Sequence, residues 1–240
     1  MQKLFILKVG SALPALVSKR GDFEDWIRFG MNIDQDAHVV VDVPRGSPLP
    51  EYDLAAGVVI TGSHAMVTEH QAWSERIAGW LPGAVASEIP VLGICYGHQL
   101  LAYALGGEVG DNPNGREYGT VEINFNDSVR GDALLGGLPT PIKAQTGHTQ
   151  TVLRLPKAAR RLANSERDRN QSFIVGNCAW GVQFHPEFDV EIMREYIHHN
   201  RQILRAEGQD PGELISQTED SVYGSEILRR FAALLNPRKE

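Results

Sequence analysis

Cysteine is scarce. Two thiols, Cys95 and Cys178, in 240 residues are too few for a disulfide framework and fit a reducing compartment. Long apolar runs are missing too: no stretch approaches the roughly 20 residues that a membrane-spanning helix needs. The opening MQKLFILKVG holds an apolar run, Leu4–Leu7, far shorter than a signal-peptide core. The expectation is a cytoplasmic protein with no membrane partner. Basic runs are absent as well, since 23 Lys+Arg stand against 30 Asp+Glu for a formal net charge of −7. That balance argues against nucleic acid as the main partner. Neither GxxxxGK[ST] nor GxGxxG occurs, so no recognised phosphate loop binds a nucleotide.

What remains is ordinary globular composition: 42% hydrophobic, 22% charged, 24 Gly and 13 Pro. Short apolar, β-branched runs alternate with amphipathic stretches, the pattern of parallel strands joined by helices. Strands are expected at Leu4–Val9, His38–Val43, Gly57–Thr61 and Val91–Cys95. All four are nearly continuous apolar runs, as in strands covered on both faces. Helices are expected between them at Asp22–Met31, His70–Trp80 and His98–Leu105. Gly110–Gly119 reads as loop. Shorter strands follow at Thr120–Phe125, Ile142–Gln145, Thr151–Leu155, Ser172–Val175 and Trp180–Phe184. Two helices, Val190–Ala206 and Ser221–Leu235, finish the chain around a polar loop. No linker separates two domains. The expected fold is a single α/β domain with a mostly parallel central sheet flanked by helices, residues 1–188, with 189–240 as a helical extension packed on the same domain.

The segment PVLGICYGHQLLAYALGG, Pro90–Gly107, places an apolar strand, then Gly93-Ile94-Cys95-Tyr96-Gly97, then an amphipathic helix. This is a strand–turn–helix nucleophile elbow with Cys where hydrolases usually carry Ser. The glycines suit a sharp turn in which side chains would clash with neighbouring backbone. The helix N-terminus favours an anion, so the thiol is expected to be more acidic than a free cysteine. The N–H of Tyr96 is placed to donate to an oxyanion. A buried free cysteine at a strand end is the competing reading, and a second element is needed to decide.

That element is GVQFHPEF, Gly181–Phe188. It delivers His185 and Glu187 at a strand end, two residues apart and so on one side of an extended chain. A thiol nucleophile needs an imidazole as base, and the imidazole needs a carboxylate to fix its tautomer. Cys178 has no elbow around it and reads as structural.

The two segments together resemble the class I (triad-type) glutamine amidotransferases, most of all the amidotransferase domain of GMP synthase and its free-standing relatives. The resemblance runs from about Val39 to Phe188 and implies a flavodoxin-like sheet. It implies Cys95 as nucleophile, His185 as base and Glu187 as its orienting carboxylate. Thr61-Gly62-Ser63-His64 stands where that family has its oxyanion loop, usually Ser-Gly-Gly-Pro. Ser63 would then pair its N–H with that of Tyr96, and Gly62 would belong to the substrate site. Gln99 resembles the family's substrate-binding glutamine. Thr146-Gly147-His148 resembles the segment that holds the α-amino and α-carboxylate groups, and Arg116-Glu117-Tyr118-Gly119 a stretch near the site. By their residue types alone, Gln99 could equally pad a helix turn, Thr146–His148 form a hairpin turn, and Arg116–Glu117 a solvated loop.

The function implied is release of ammonia from the glutamine side chain through a cysteine thioester, with no cofactor and no metal. A separate synthetase subunit is the possible partner, since the chain carries no Ser-Gly-Gly-x-Asp loop of an ATP-pyrophosphatase. Three alternatives stay open. One is a γ-glutamyl peptidase or hydrolase with the same triad. Another is a catalytically silent regulatory module. The third is another cysteine-elbow α/β family, disfavoured because such families lack His-Pro-Glu at a late strand end.

Overall fold

Residues 2–235 are described by a computed structural model. In chain order they form β1 (Lys3–Lys8), α1 (Pro14–Arg20), α2 (Phe23–Met31), β2 (His38–Asp42), β3 (Ala55–Ile60), α3 (Ala72–Ala86), β4 (Val91–Ile94), α4 (Tyr96–Ala104), β5 (Glu108–Asp111) and β6 (Glu117–Phe125). Then come β7 (Ile142–His148), β8 (Gln150–Arg154), β9 (Ala159–Asn164), β10 (Ser172–Val175), β11 (Ala179–Val182), α5 (Val190–His199), α6 (Arg201–Ala206), α7 (Pro211–Ser216) and α8 (Gly224–Leu234).

Nine strands make one sheet in the order β2-β1-β3-β4-β11-β10-β9-β6-β7, and β5 pairs with β8 separately. Strands β2, β1, β3, β4 and β11 pair in parallel; β10, β9, β6 and β7 continue in antiparallel pairs. Only β10 and β6 therefore run against the rest, which makes the sheet mostly parallel as expected. The parallel strands are buried on both faces; β4 and β11 are buried at every position. Helices cover them because each presents one apolar stripe. In α2, Phe23, Trp26, Ile27 and Met31 are buried, and Asp22 and Asp25 close a capping box at its start that satisfies otherwise orphaned N–H groups.

One core face holds Ile6, Ile94, Trp180, Phe184 and Phe231, and the opposite face holds Val58, Ile60, Ile77, Leu100 and Phe173. A third cluster joins Phe23 and Trp26 to Phe188, Met193, Tyr196 and Ile197. Through it, and through Phe231 of α8, the C-terminal helices pack onto the rest of the chain.

The register places the site. Gly93 of β4 lies opposite Gly181 of β11 and opposite Ile60 of β3. The segments leaving these three neighbouring strands, Thr61–His64, Cys95 and Gln183–Glu187, thus emerge together at the carboxyl edge of the sheet, where open α/β sheets place their ligands.

Several elements differ from expectation. Helix α4 starts at Tyr96, not His98, because the turn passes straight into helix after Cys95. The expected loop 110–119 contributes to β5 and β6, whose partners β8 and β7 supply hydrogen bonds that local composition does not reveal. The expected helix Val190–Ala206 is two, joined at Asn200. Within the polar segment after it, Asp210 caps the short α7. The sequence pattern predicts neither α1 nor β9. Met1 and residues 236–240 of the expected domain and extension lie outside the described residues.

Candidate active site

Cys95 sits at φ 49°, ψ −98°, a region that costs a non-glycine residue on the order of 1–3 kcal/mol and persists only where the surroundings over-determine it. Here the Cys95 N–H donates to Val182 O (2.9 Å), and the Cys95 carbonyl accepts from Gln99 N (3.1 Å). The flanking glycines are sterically required. A Cβ at Gly93 would stand 2.4 Å from Gly97 O, and one at Gly97 would stand 2.5 Å from Ile60 O. The thiol is therefore held at the N-terminus of α4, where free N–H groups and the helix dipole favour negative charge.

His185 is fixed on three sides. Its N–H donates to Gln145 O (2.8 Å), its Nδ1 donates to Glu187 Oε1 (2.7 Å), and its ring stacks on Phe188 at 4.0 Å between centroids, 17° apart. A Cβ at Gly62 would come within 3.0 Å of its Cε1, so the loop beside it needs glycine there. The imidazole and the Cys95 thiol bound one small chamber. Burial pushes the imidazole down, but the charges of Glu187 and Cys95 carry it up to about 10. Burial pushes the thiol up, but the His185 charge, then the His148 charge, bring it below its ordinary value. Each group thus favours the charged form of the other, thiolate beside imidazolium.

The two expected oxyanion donors flank this pair. Among the described residues the N–H groups of Ser63 and Tyr96 make no hydrogen bond, and both residues line the cavity that Cys95 lines. The loop is braced where it matters. The Thr61 hydroxyl accepts from Val9 N (3.1 Å) and donates to Gly62 O (3.0 Å), Ser63 Oγ accepts from Ala65 N (3.2 Å), and a Cβ at Gly10 would stand 2.8 Å from Ser63 Cα.

The cavity measures about 290 Å³ and reaches from Cys95 past Gln99, Gly147 and His148 to Arg116 and Tyr196. No Asp or Glu lines it. A chamber of about 30 Å³ adjoins it, bounded by Cys95, His185, Ser63, Met193 and Tyr196. Of the residues expected to bind substrate, Gln99, Gly147 and His148 reach the cavity wall and Gly62 does not. Gln99 Nε2 is spent on Gln150 O (2.8 Å) and Gln183 Oε1 (3.0 Å), leaving its Oε1 free of partners among the described residues. Thr146 is fully buried, with its hydroxyl on Gly119 O (3.3 Å), and does not line the cavity. Arg116 lines it while paired with Glu207 (3.0 Å).

Sequence reasoning missed the part of the wall that comes from outside the motifs: Leu13, and Tyr196, His199 and Asn200 from α5 and its end. Their only signal was an amphipathic stripe, which reads as core. Among the described residues no group of three His, Cys, Asp or Glu is placed to hold a metal ion, and no helix is long and apolar enough to cross a membrane.

A doubly wound sheet with a thiol on a strained strand-to-helix turn, and an imidazole–carboxylate pair leaving the next strand, defines an α/β protein of the nucleophile-elbow class. Residues 53–203 match the family Glutamine amidotransferase class-I, and the chain belongs to that family. A glutamine-hydrolyzing GMP synthase subunit of Sulfurisphaera tokodaii is 44% identical over 142 residues, 57% of this chain and 71% of that relative. Gamma-glutamyl peptidase 5 of Arabidopsis thaliana is 31% identical over 204 residues, 82% of this chain and 80% of that relative. The chain spans about a third of the longer GMP synthases it matches. A glutamine amidotransferase of Thermotoga maritima shares the fold, with a TM-score of 0.76, 24% identity and 98% of each chain covered.

Proposed function

We propose that this amidotransferase is a cysteine-dependent amidohydrolase that cleaves the side-chain carboxamide of glutamine, with Cys95 as nucleophile, His185 as acid and base, and Glu187 as its orienting partner. The observation that carries this reading is that Cys95 and His185 bound one chamber, with Nδ1–H of His185 committed to Glu187 at 2.7 Å. That commitment fixes the tautomer and turns the other ring nitrogen to the sulfur.

The Cys95 thiolate attacks the carboxamide carbon, and the C=O pair moves onto oxygen, where the N–H groups of Ser63 and Tyr96 receive it. Collapse expels ammonia, which takes a proton from the His185 imidazolium and leaves a γ-glutamyl thioester on Cys95. Neutral His185 then takes a proton from water, the hydroxide attacks the thioester, and the thiolate leaves as glutamate forms. Gly62, Gln99, Thr146, Gly147 and His148 are proposed to shape the substrate site, the strand segment 146–148 through its backbone. The reaction asks for no cofactor and no metal. The two free thiols suit a reducing, cytoplasmic setting.

The ammonia acceptor is proposed to belong to a separate synthetase chain, as the similarity to a protein named as one subunit of GMP synthase suggests. In that arrangement residues 1–188 carry the triad, and the helices from 189 onward roof the site and offer a docking face. One observation favours a second reading, hydrolysis of γ-glutamyl peptides: the match to γ-glutamyl peptidase 5 extends over four fifths of both chains.

The experiment is glutamate release by the purified chain from glutamine and from γ-glutamyl dipeptides, with and without candidate synthetases. The proposal expects slow hydrolysis of glutamine that accelerates when a synthetase is added. Rapid hydrolysis of γ-glutamyl dipeptides, unchanged by any synthetase, would replace it with the peptidase reading.

A further inference from the structure

At the cavity wall His148 meets two buried carboxylates, Glu117 and Asp168, a cluster of side chains that the mechanism above does not use. The side chains of His148, Glu117 and Asp168 are 1%, 3% and 1% exposed. His148 Nδ1 stands 2.9 Å from Gln150 O, and its Nε2 stands 3.1 Å from Glu117 Oε2 and 3.9 Å from Asp168 Oδ2. A backbone carbonyl only accepts, so Nδ1 carries a proton. Glu117 is itself ringed by donors: Ser165 Oγ at 2.5 Å on Oε1, and Gln171 Nε2 beside His148 on Oε2. It acts as an acceptor throughout, so Nε2 of His148 also carries its proton. A ring with both nitrogens on acceptors is an imidazolium.

We propose that His148 is a permanently charged positioning residue: Glu117 and Asp168 hold it as a buried cation on the cavity that Cys95 also lines, where it reinforces His185 in stabilising the thiolate. Its two N–H groups are already committed, so it acts on the sulfur through its field and not by binding substrate with its ring. The inference rests on Cys95 being the nucleophile.

The surroundings agree. Burial alone would push this imidazole down, but the Glu117 hydrogen bond and the charges of Asp168, Glu117 and Cys95 carry it above its ordinary value. The cavity that His148 and Cys95 share is also lined by His64, Tyr96, Arg116, Tyr118, Tyr196 and His199, and burial pushes His64 down. His98 of α4 is kept neutral by burial, at about 3. The Tyr118 phenol of β6 is pushed up by burial and stays protonated. Glu187, whose charge opposes the thiolate, is engaged by His185. Arg116, on the same cavity, is paired with Glu207, and the charges of His185 and His148 act on the sulfur. The same carbonyl that anchors His148, Gln150 O, also anchors Gln99, so the cation and the cavity wall are tied to one point of β8.

The test is the pH dependence of alkylation at Cys95 by iodoacetamide, read by peptide mapping so that Cys178 serves as internal control. In His148→Gln the midpoint should rise by about one pH unit, a roughly tenfold slower reaction at pH 6, with Cys178 unchanged. A purely structural residue would not move it. Histidine-ring NMR on the unaltered protein gives a reading that no substitution can spoil. Both nitrogens of His148 should be protonated at pH 8, and Glu117→Gln should bring that ring's titration down. A folded His148→Gln protein with an unmoved midpoint, or a singly protonated His148 ring at pH 8, would overturn the proposal. Failure of the functional reading shows separately, as glutamate release that survives Cys95→Ser.

Discussion

Nδ1 of His185 lies 2.7 Å from Oε1 of Glu187, two residues further along the same extended segment, and both side chains are buried. The carboxylate thus holds the ring without reaching the sulfur itself. Glu187→Gln should keep a ring-orienting oxygen while losing its charge, and so retain partial activity. His185→Ala removes the acid and base together and should lose nearly all of it. Steady-state glutamate release from the two variants checks this. Equal activity of His185→Ala and the unaltered protein would make the His-Pro-Glu segment structural.

The two raised and lowered pKa values set a pH window. Cys95 is held below the ordinary thiol value, about 8.5, and His185 is carried up to about 10. The proposed chemistry needs thiolate and imidazolium together. Activity should fall on the acid side as the thiolate takes up a proton, and on the alkaline side near pH 10 as His185 loses its own. The profile of kcat/KM should therefore be bell-shaped, with its acid limb below the value of a free thiol and its alkaline limb near pH 10. A single rise centred at the value of a free thiol would show that no ion pair exists.

Much of this was legible in the chain, and for physical reasons. Strands covered on both faces must be apolar throughout, so Leu4–Leu7, Val58–Ile60 and Val91–Ile94 announce themselves. A turn that tolerates no Cβ on either side of Cys95 must carry glycine, so Gly93 and Gly97 mark the elbow. Strand β9, ARRLAN, hides because Arg160 and Arg161 break the pattern; its place comes from pairing with β10 and β6. The buried cluster was equally hidden. Asp168 sits in the polar run SERDRN, and nothing local shows that folding brings it to His148.

The steric limits at the turn can be tested one glycine at a time. Gly97→Ala drives a methyl group to 2.5 Å from backbone oxygen of β3, which no side chain can relieve. It should cost about 1–3 kcal/mol or more by denaturant unfolding. Gly62→Ala meets the His185 ring at 3.0 Å and Phe23 in ordinary contact at 3.7 Å. It should leave stability nearly unchanged while lowering activity by about tenfold to a hundredfold through displacement of the imidazole. A fully active Gly62→Ala protein would show that the ring position is not critical.

The C-terminal helices should behave as part of the same core. Ile197 of α5 is fully buried with Trp26 and Phe188, whereas Ile203 of α6 is 42% exposed. Ile197→Ala should destabilise the whole protein by about 2–5 kcal/mol, and Ile203→Ala by no more than about 0.5 kcal/mol. Equal, small effects in urea unfolding would mean that α5 folds apart from the sheet.

Every step of the proposed chemistry passes through the Cys95 sulfur. A glutamine-like alkylating analogue, followed by peptide mapping and a glutamate assay on the same sample, tests it most directly. One label per chain at Cys95, with glutamate release lost in step with labelling and unaffected by Cys178→Ser, is the result the structure predicts. Labelling that persists in Cys95→Ser and vanishes in Cys178→Ser would contradict it.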